Sequence, residues 1–105
     1  MATSKAPLFD KTSYALSLWN KARAHPARII ILDYLVEHGQ TPFFEIRQLV
    51  PLARTTVSQH MRFLRREGVV KLFEKYPHSY YEIERKLCRQ LARISHRMDA
   101  NFLDL

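Results

Sequence analysis

The stretch that most constrains this chain is residues 52–70, LARTTVSQHMRFLRREGVV. Val57, Met61 and Leu64 recur at i, i+4 and i+7, which gives a helix one apolar face that needs a core to cover it. Gly68 follows where the C-terminus of a helix favours a left-handed residue. Beyond it the periodicity changes. Val69-Val70-Lys71-Leu72-Phe73-Glu74 and Tyr80-Tyr81-Glu82-Ile83-Glu84 are β-branched, aromatic and partly alternating, the pattern of two strands. Lys75 to Ser79 connects them, with Pro77 and Ser79 as turn formers.

The other side of the helix at 54–67 carries Thr55, Ser58, Gln59, Arg62 and Arg66, with no acidic residue before Glu67. Surface helices usually mix charge signs, so a face of hydroxyls, an amide and guanidinium groups is suited to an anion. The base edges and phosphates of a DNA major groove present the acceptors these groups need. A solvated basic helix is the plain alternative for this segment taken alone. Net charge supports the first reading. The 105-residue chain carries +7, and the excess is uneven. Residues 1–53 hold six Lys/Arg against four Asp/Glu, whereas residues 54–105 hold eleven against six. A basic half points to a polyanionic partner, nucleic acid before an acidic membrane surface.

Upstream, residues 1–12 lack periodicity and contain Pro7, which predicts a flexible N-terminal arm ahead of one domain at 13–105. Tyr14, Leu16, Leu18, Trp19 and Ala22 predict a first helix, with Ser13 as its N-cap. His25-Pro26 opens a second, where Ile30, Ile31, Tyr34 and Leu35 form a wide apolar face, broadened by Leu32 and Val36, before Gly39. Thr41-Pro42 repeats the start signal, and Phe43, Phe44, Ile46, Leu49 and Val50 predict a short helix ending before Pro51. Two short helices about four residues apart, the second polar outside, form the helix-turn-helix pattern, and a hairpin directly after it is a wing. Lys75, His78 and Ser79 lie at its tip, within reach of a phosphate or the minor groove.

From Arg85 the period is helical again. Leu87, Leu91, Ile94, Met98 and Phe102 form one stripe, and Arg85, Arg89, Arg93 and Arg97 line the other side. That stripe is longer than a small monomer needs, which predicts pairing with a symmetry mate, helped by Leu16 and Trp19 of the first helix. Closure of the monomer's own core is the competing reading. The fold class is therefore mainly α with a small β-hairpin, in the order α-α-α-α-β-β-α.

This order resembles the bacterial winged-helix repressors of the ArsR type over about residues 15–100. The sharpest match is Thr56-Val57-Ser58-Gln59-His60-Met61-Arg62-Phe63-Leu64-Arg65-Arg66-Glu67-Gly68-Val69-Val70. It is similar to the family's T-V-S-Q-H-L-[KR]-x-L-[RK]-x-x-G-[LV]-V, and Tyr80-Tyr81-Glu82-Ile83 looks like the Y-x-[LI] ending of its wing. The resemblance implies a homodimeric repressor on a palindromic double-stranded DNA operator. By position, Thr55, Ser58, Gln59 and Arg62 would face DNA, with Arg54 near the helix start. Arg65, Arg66, Lys71 and Lys75 would supply phosphate charge, and His78 would act from the wing. Thr56 and His60 lie nearer the core boundary, as candidates for structural or phosphate contacts.

Three departures are visible. Ala53 stands where the family often has a capping Ser or Asp, which forgoes about 0.5–2 kcal/mol. The wing turn carries Pro77-His78 in place of a frequent glycine. Phe43 to Val50 has neither Cys nor His, unlike the metal sensors, and His96 with Asp99 matches only half of a second metal-sensing pattern. Zn²⁺ wants three or four ligands, so neither metal nor other cofactor is expected. Cys88, the one cysteine, reads as a small apolar residue beside Leu87, while a redox role would need an exposed, acidified thiol near Arg85 and Arg89.

Enzyme chemistry is excluded: the two glycines make no phosphate loop, and the five histidines lie on separate elements without a nucleophile motif. A winged-helix module docking an acidic protein is the alternative function. The run Thr55-Thr56-Ser58-Gln59 argues against it, because that face lacks the aromatic anchors of protein interfaces. The longest apolar run, Ile29–Leu32, cannot span a bilayer, and no signal segment opens the chain, so no membrane partner and a cytoplasmic location are expected.

Overall fold

Capping and turn chemistry set where each element begins and ends. The computed structural model describes residues 9–105; residues 1–8, most of the expected arm, lie outside the described residues. Helix α1 spans Lys11–Ala22, three residues earlier than the sequence predicts, because Asp10 caps it. The Asp10 carboxylate accepts from the Ser13 amide at 2.7 Å and from its hydroxyl at 3.1 Å. Ser13, expected as the cap, is instead the residue whose amide is capped. Those bonds hold the Asp10 carboxyl below the usual range.

Helix α2, Pro26–His38, starts on His25, whose Nδ1 accepts from the Ala27 amide at 3.0 Å. It stops at Gly39, at φ 73. Ile31 and Leu35 are fully buried, but Ile29, Ile30 and Val36 are about half exposed. Ile30 and Val36, expected within the buried apolar face, are therefore turned largely to solvent. A helix apolar on nearly every side does not specify its own rotation.

Thr41-Pro42 sets the start of the next helix one residue later than expected, with Pro42 rather than Thr41 as its N-cap. It forms a two-residue strand, β1, paired antiparallel with the hairpin (Thr41 with Tyr81, Pro42 with Tyr80). Buried Thr41 donates its hydroxyl to the Gly39 carbonyl at 2.9 Å. As an edge strand, β1 tolerates a proline. Helix α3 is only Phe43–Arg47, ending short of Val50. Its last turn tightens through Gln48 N–H to Glu45 O and Leu49 N–H to Ile46 O, as expected of a chain that must leave the α region before Pro51.

Helix α4, Arg54–Arg66, starts at Ala53 without a side-chain cap, as its sequence predicts. It ends in a Schellman motif: Gly68, at φ 80, donates to the Arg65 carbonyl, and Val69 donates to that of Leu64. Strands β2, Val70–Lys75, and β3, His78–Ile83, pair from Val70–Ile83 to Lys75–His78. Pairing thus reaches further toward the tip than expected, and the connection shrinks to Tyr76-Pro77. Strand order is β1-β3-β2. Helix α5, Arg85–Leu103, is capped by Glu84, which accepts from the Lys86 amide at 3.2 Å.

One core joins these elements. Ile31 and Leu35 of α2, Ile46 of α3, Val57, Met61 and Leu64 of α4, and Val69 at the hairpin entry are all fully buried. The result is mainly helical with a three-stranded antiparallel sheet, and it brings the start of α4 and the hairpin tip together beside α3.

Candidate nucleic-acid interface

Burial of Val57, Met61 and Leu64 fixes the rotation of α4, so its other side is turned to solvent. Arg54, Thr55, Gln59, Arg62, Arg65 and Arg66 are exposed, while Thr56 and Ser58 are half-buried at the flanks. Among the described residues the one ion pair joins Lys71 to Glu84 at 3.7 Å, so the four arginines of α4 face water without a carboxylate partner. Lys71, half exposed, is the one cation among the expected phosphate contacts that has a carboxylate partner. The uncapped start of α4 also leaves first-turn amides without a side-chain acceptor. This is a surface of donors and positive charge with no internal use for either.

His60 does not belong to that surface. One turn from both Val57 and Leu64, it is drawn inward against the start of α2. Its ring lies 4.5 Å from that of His25, and its Nδ1 lies 3.1 Å from an Arg28 guanidinium nitrogen. Arginine only donates, so Nδ1 accepts and the proton sits on Nε2, which is buried without a partner among the described residues. Burial, then the charges of His25 and Arg28, push the His60 pKa down.

Arg28 was not singled out by the sequence, yet it is the hub here. Its guanidinium also donates to the carbonyls of Ala22, at 3.1 Å, and Lys21, at 2.7 Å, and lies 4.5 Å from the centre of the Phe63 ring. The end of α1, the start of α2 and the inner flank of α4 are thereby tied together.

On the hairpin, Lys75 donates to the Gln40 side chain at 2.8 Å, which ties the wing to the loop before β1. His78 packs 5.3 Å from the Phe44 ring of α3. Between α3, the start of α4 and the hairpin tip lies a crevice of about 330 Å³, whose polar lining comes from Arg47, Arg54, Ser58, His78 and Ser79. Arg47 escaped sequence reasoning because it lies outside the recognition-type helix and reaches the crevice only through the tertiary fold. Half-buried Tyr81 also borders it; burial raises that phenol's pKa, with Arg65 and Arg62 opposing.

The residues expected at a dimer face divide into two groups. Leu91 is buried within the monomer, and Leu87 and Ile94 are half-buried. Trp19 packs against the core with the Arg23 guanidinium 4.6 Å from its ring, and Arg23 reaches the buried Ser95 hydroxyl at 3.3 Å. Leu16, half-buried, lines a groove between α1 and α5 together with Ile94 and Met98. Met98 and Phe102 are exposed, at 41% and 62%. The uncovered apolar surface is thus the C-terminal half of the stripe. Cys88 is half-buried, with its Sγ 3.5 Å from the Val69 carbonyl, and burial followed by Glu84 pushes its thiol up to about 11. That is the opposite of an acidified redox thiol.

Among the described residues no group of three or more His, Cys, Asp or Glu is placed to hold a metal ion, and no helix is long and apolar enough to cross a membrane.

A helix-turn-helix whose second helix offers an unpaired cationic face, followed by a wing, defines a winged-helix DNA-binding regulator. The family model described as "Bacterial regulatory protein, arsR family" matches residues 25–71. Rv0081 of M. tuberculosis is 30% identical, with 91% of this chain and 96% of that one covered at a TM-score of 0.68. The chain belongs to the ArsR family; it is a DNA-binding transcriptional regulator and not an enzyme. Two further structures share the fold. The transcriptional repressor BigR from Xylella fastidiosa is 22% identical over 88% of this chain and 93% of its own, with a TM-score of 0.68. An ArsR-like transcriptional regulator from Rhodococcus sp. RHA1 is 19% identical over 89% and 87%, with a TM-score of 0.71. A search of curated protein sequences returns no match.

Proposed function

We propose that this protein is a homodimeric repressor that places α4 in the major groove of a palindromic operator. The observation that carries the reading is the α4 face: Arg54, Thr55, Gln59, Arg62, Arg65 and Arg66 exposed, the arginines without ion-pair partners among the described residues. Thr55, Ser58, Gln59 and Arg62 have the donor and acceptor groups to read base edges, while Arg54, Arg65 and Arg66 flank them with charge for phosphates. Thr56, at the half-buried flank, suits a backbone contact, and Lys75 and His78 act from the wing. His60 is left out of this set, because its ring is engaged with Arg28 and His25.

The second subunit would cover Met98 and Phe102 of α5 together with Leu16 of α1, and a two-fold dimer would then present two α4 helices about one helical turn of DNA apart. A repressor needs nothing more than this occupancy: two reading heads held over a promoter exclude other proteins from the same base pairs.

Selection of bound fragments from genomic DNA, followed by sequencing, tests the reading. The expected product is an inverted repeat with half-sites about 10 base pairs apart or a multiple of it. Arg62→Ala, checked for unchanged folding and dimerisation, should weaken binding to that repeat by about 1–3 kcal/mol and relax preference at one position per half-site. Operator affinity and base preference equal to wild type would remove Arg62 from the reading set.

A further inference from the structure

We infer that the crevice between α3, α4 and the wing is a phosphate seat, with Arg47 of α3 and His78 of the wing closing it around a DNA backbone phosphate. The inference rests on the DNA-binding reading above and adds a site to it. The sugar–phosphate backbone is what separates a major groove from the minor groove beside it. A protein that reads the first with α4 and reaches toward the second with its hairpin must let that backbone pass between the two. In this fold the space between them is not flat. It is a crevice of about 330 Å³, room for roughly ten waters, and so for a phosphate with its flanking sugar atoms.

Its lining matches that occupant. Arg47, Arg54, Ser58, His78 and Ser79 supply two guanidinium groups, an imidazole and two hydroxyls, and no acidic side chain lines it. Neither arginine has an ion-pair partner within 4.0 Å among the described residues. Planar guanidinium forks match two phosphate oxygens at once, and the Ser79 hydroxyl completes the shell as a short donor, with Ser58 at the edge facing the bases. The walls are held in place. Phe44 packs against His78, and Phe43 lies 6.3 Å from Tyr81, so α3 and the hairpin are braced by aromatic contacts rather than by the cations themselves. Ile46, the residue before Arg47, is fully buried, which fixes the helix that carries the cation. The charges are therefore unspent, and the elements that carry them are held in place, so an incoming anion has less ordering to impose.

The test is the salt dependence of binding to a fluorescent duplex of about 30 base pairs and random sequence. Each phosphate contact adds close to one unit to the slope of log K against log salt. Wild type, Arg47→Gln and His78→Gln are compared with Arg89→Gln, an exposed change on α5 that removes the same charge outside the crevice lining. Arg47→Gln should weaken binding about tenfold and lower the slope by about one, equally for random and operator duplexes. His78→Gln should weaken both duplexes alike by a smaller factor, and Arg89→Gln should leave the slope unchanged.

Inorganic phosphate, exchanged for chloride at constant ionic strength, separates the two sources of the same chemistry. Displacement of the duplex from wild type but not from Arg47→Gln means the seat also takes free phosphate. No displacement, with the slope change retained, means it takes only the backbone diester. Wild-type slope and affinity in Arg47→Gln and His78→Gln would overturn the seat while leaving the DNA reading standing. Failure of wild type itself to bind any duplex at low salt would overturn that reading instead, and the seat with it.

Discussion

The Arg28 guanidinium lies 3.1 Å from His60 Nδ1 and, on its other edges, bonds the last carbonyls of α1. One planar group thus sets the angle between the α1–α2 corner and the helix expected to enter DNA. Hydrogen bonds from a charged donor are worth about 1.5–3 kcal/mol each at their strongest, and partial exposure of this arginine brings the sum down. Arg28→Ala should lower unfolding free energy by about 2–3 kcal/mol, read from the urea midpoint at constant m. Arg28→Lys should recover little, because an ammonium has no fork to span Lys21, Ala22 and His60 and stacks poorly on Phe63. A lysine variant as stable as wild type would show that charge alone, not geometry, matters at this corner.

The same contact makes stability depend on pH. Burial lowers the His60 pKa beneath its unfolded value of about 6.5, with His25 and Arg28 adding positive charge around it. The unfolded chain therefore binds the proton more readily than the folded one. Stability is full above the unfolded pKa and falls as pH drops through the folded one. Asp10, whose carboxyl is also lowered, acts in a separate window below about pH 4. The urea midpoint should fall between pH 7 and pH 5, and His60→Gln should flatten that part of the profile. An unchanged profile in His60→Gln would assign the effect to another group.

Where the sequence was informative, a single periodicity had a single interpretation. The α4 stripe of Val57, Met61 and Leu64 is buried as its spacing requires, and Gly68 takes the left-handed conformation its position predicts. Thr41-Pro42 shows the opposite case: a capping residue followed by proline opens helices, and it also suits an edge strand. Pairing with Tyr80 and Tyr81, some forty residues on in the chain, draws it into the sheet and moves the cap of α3 from Thr41 to Pro42. Asp10 and Ser13 are both good caps, and sequence does not rank them. The inward turn of His60 was legible from its spacing to Val57 and Leu64, whereas the approach of Arg47 to His78 depends on how α3 meets the wing.

Ala53 adopts an extended backbone (φ −62, ψ 150) at the start of α4, the conformation a capping serine uses, yet it offers no oxygen. Ala53→Ser should raise stability by about 1 kcal/mol, measured by thermal or urea unfolding. The hydroxyl would then compete for first-turn amides that are otherwise open to an incoming phosphate. DNA affinity should rise less than stability does, or fall slightly. A serine variant no more stable than wild type would mean that solvent already satisfies these amides at no penalty.

Stability and association should separate along α5, because its stripe is buried at one end and bare at the other. Leu91 is 3% exposed, so Leu91→Ala removes core packing and should lower stability by about 2–5 kcal/mol. Phe102 lies in the last turn at 62% exposure and Met98 one turn earlier at 41%, so neither supports the monomer's own core. Replacing both by glutamate would place two carboxylates on the surface proposed to meet its symmetry mate. Large buried anchors are each worth about 2 kcal/mol or more at an interface. The double variant should therefore sediment as a monomer at concentrations where wild type is a dimer. Its helical circular dichroism should stay close to wild type, and operator affinity should drop because one half-site is lost. Wild-type sedimentation by the Met98→Glu, Phe102→Glu variant would place the dimer contact elsewhere and leave α5 as a helix that closes only its own core.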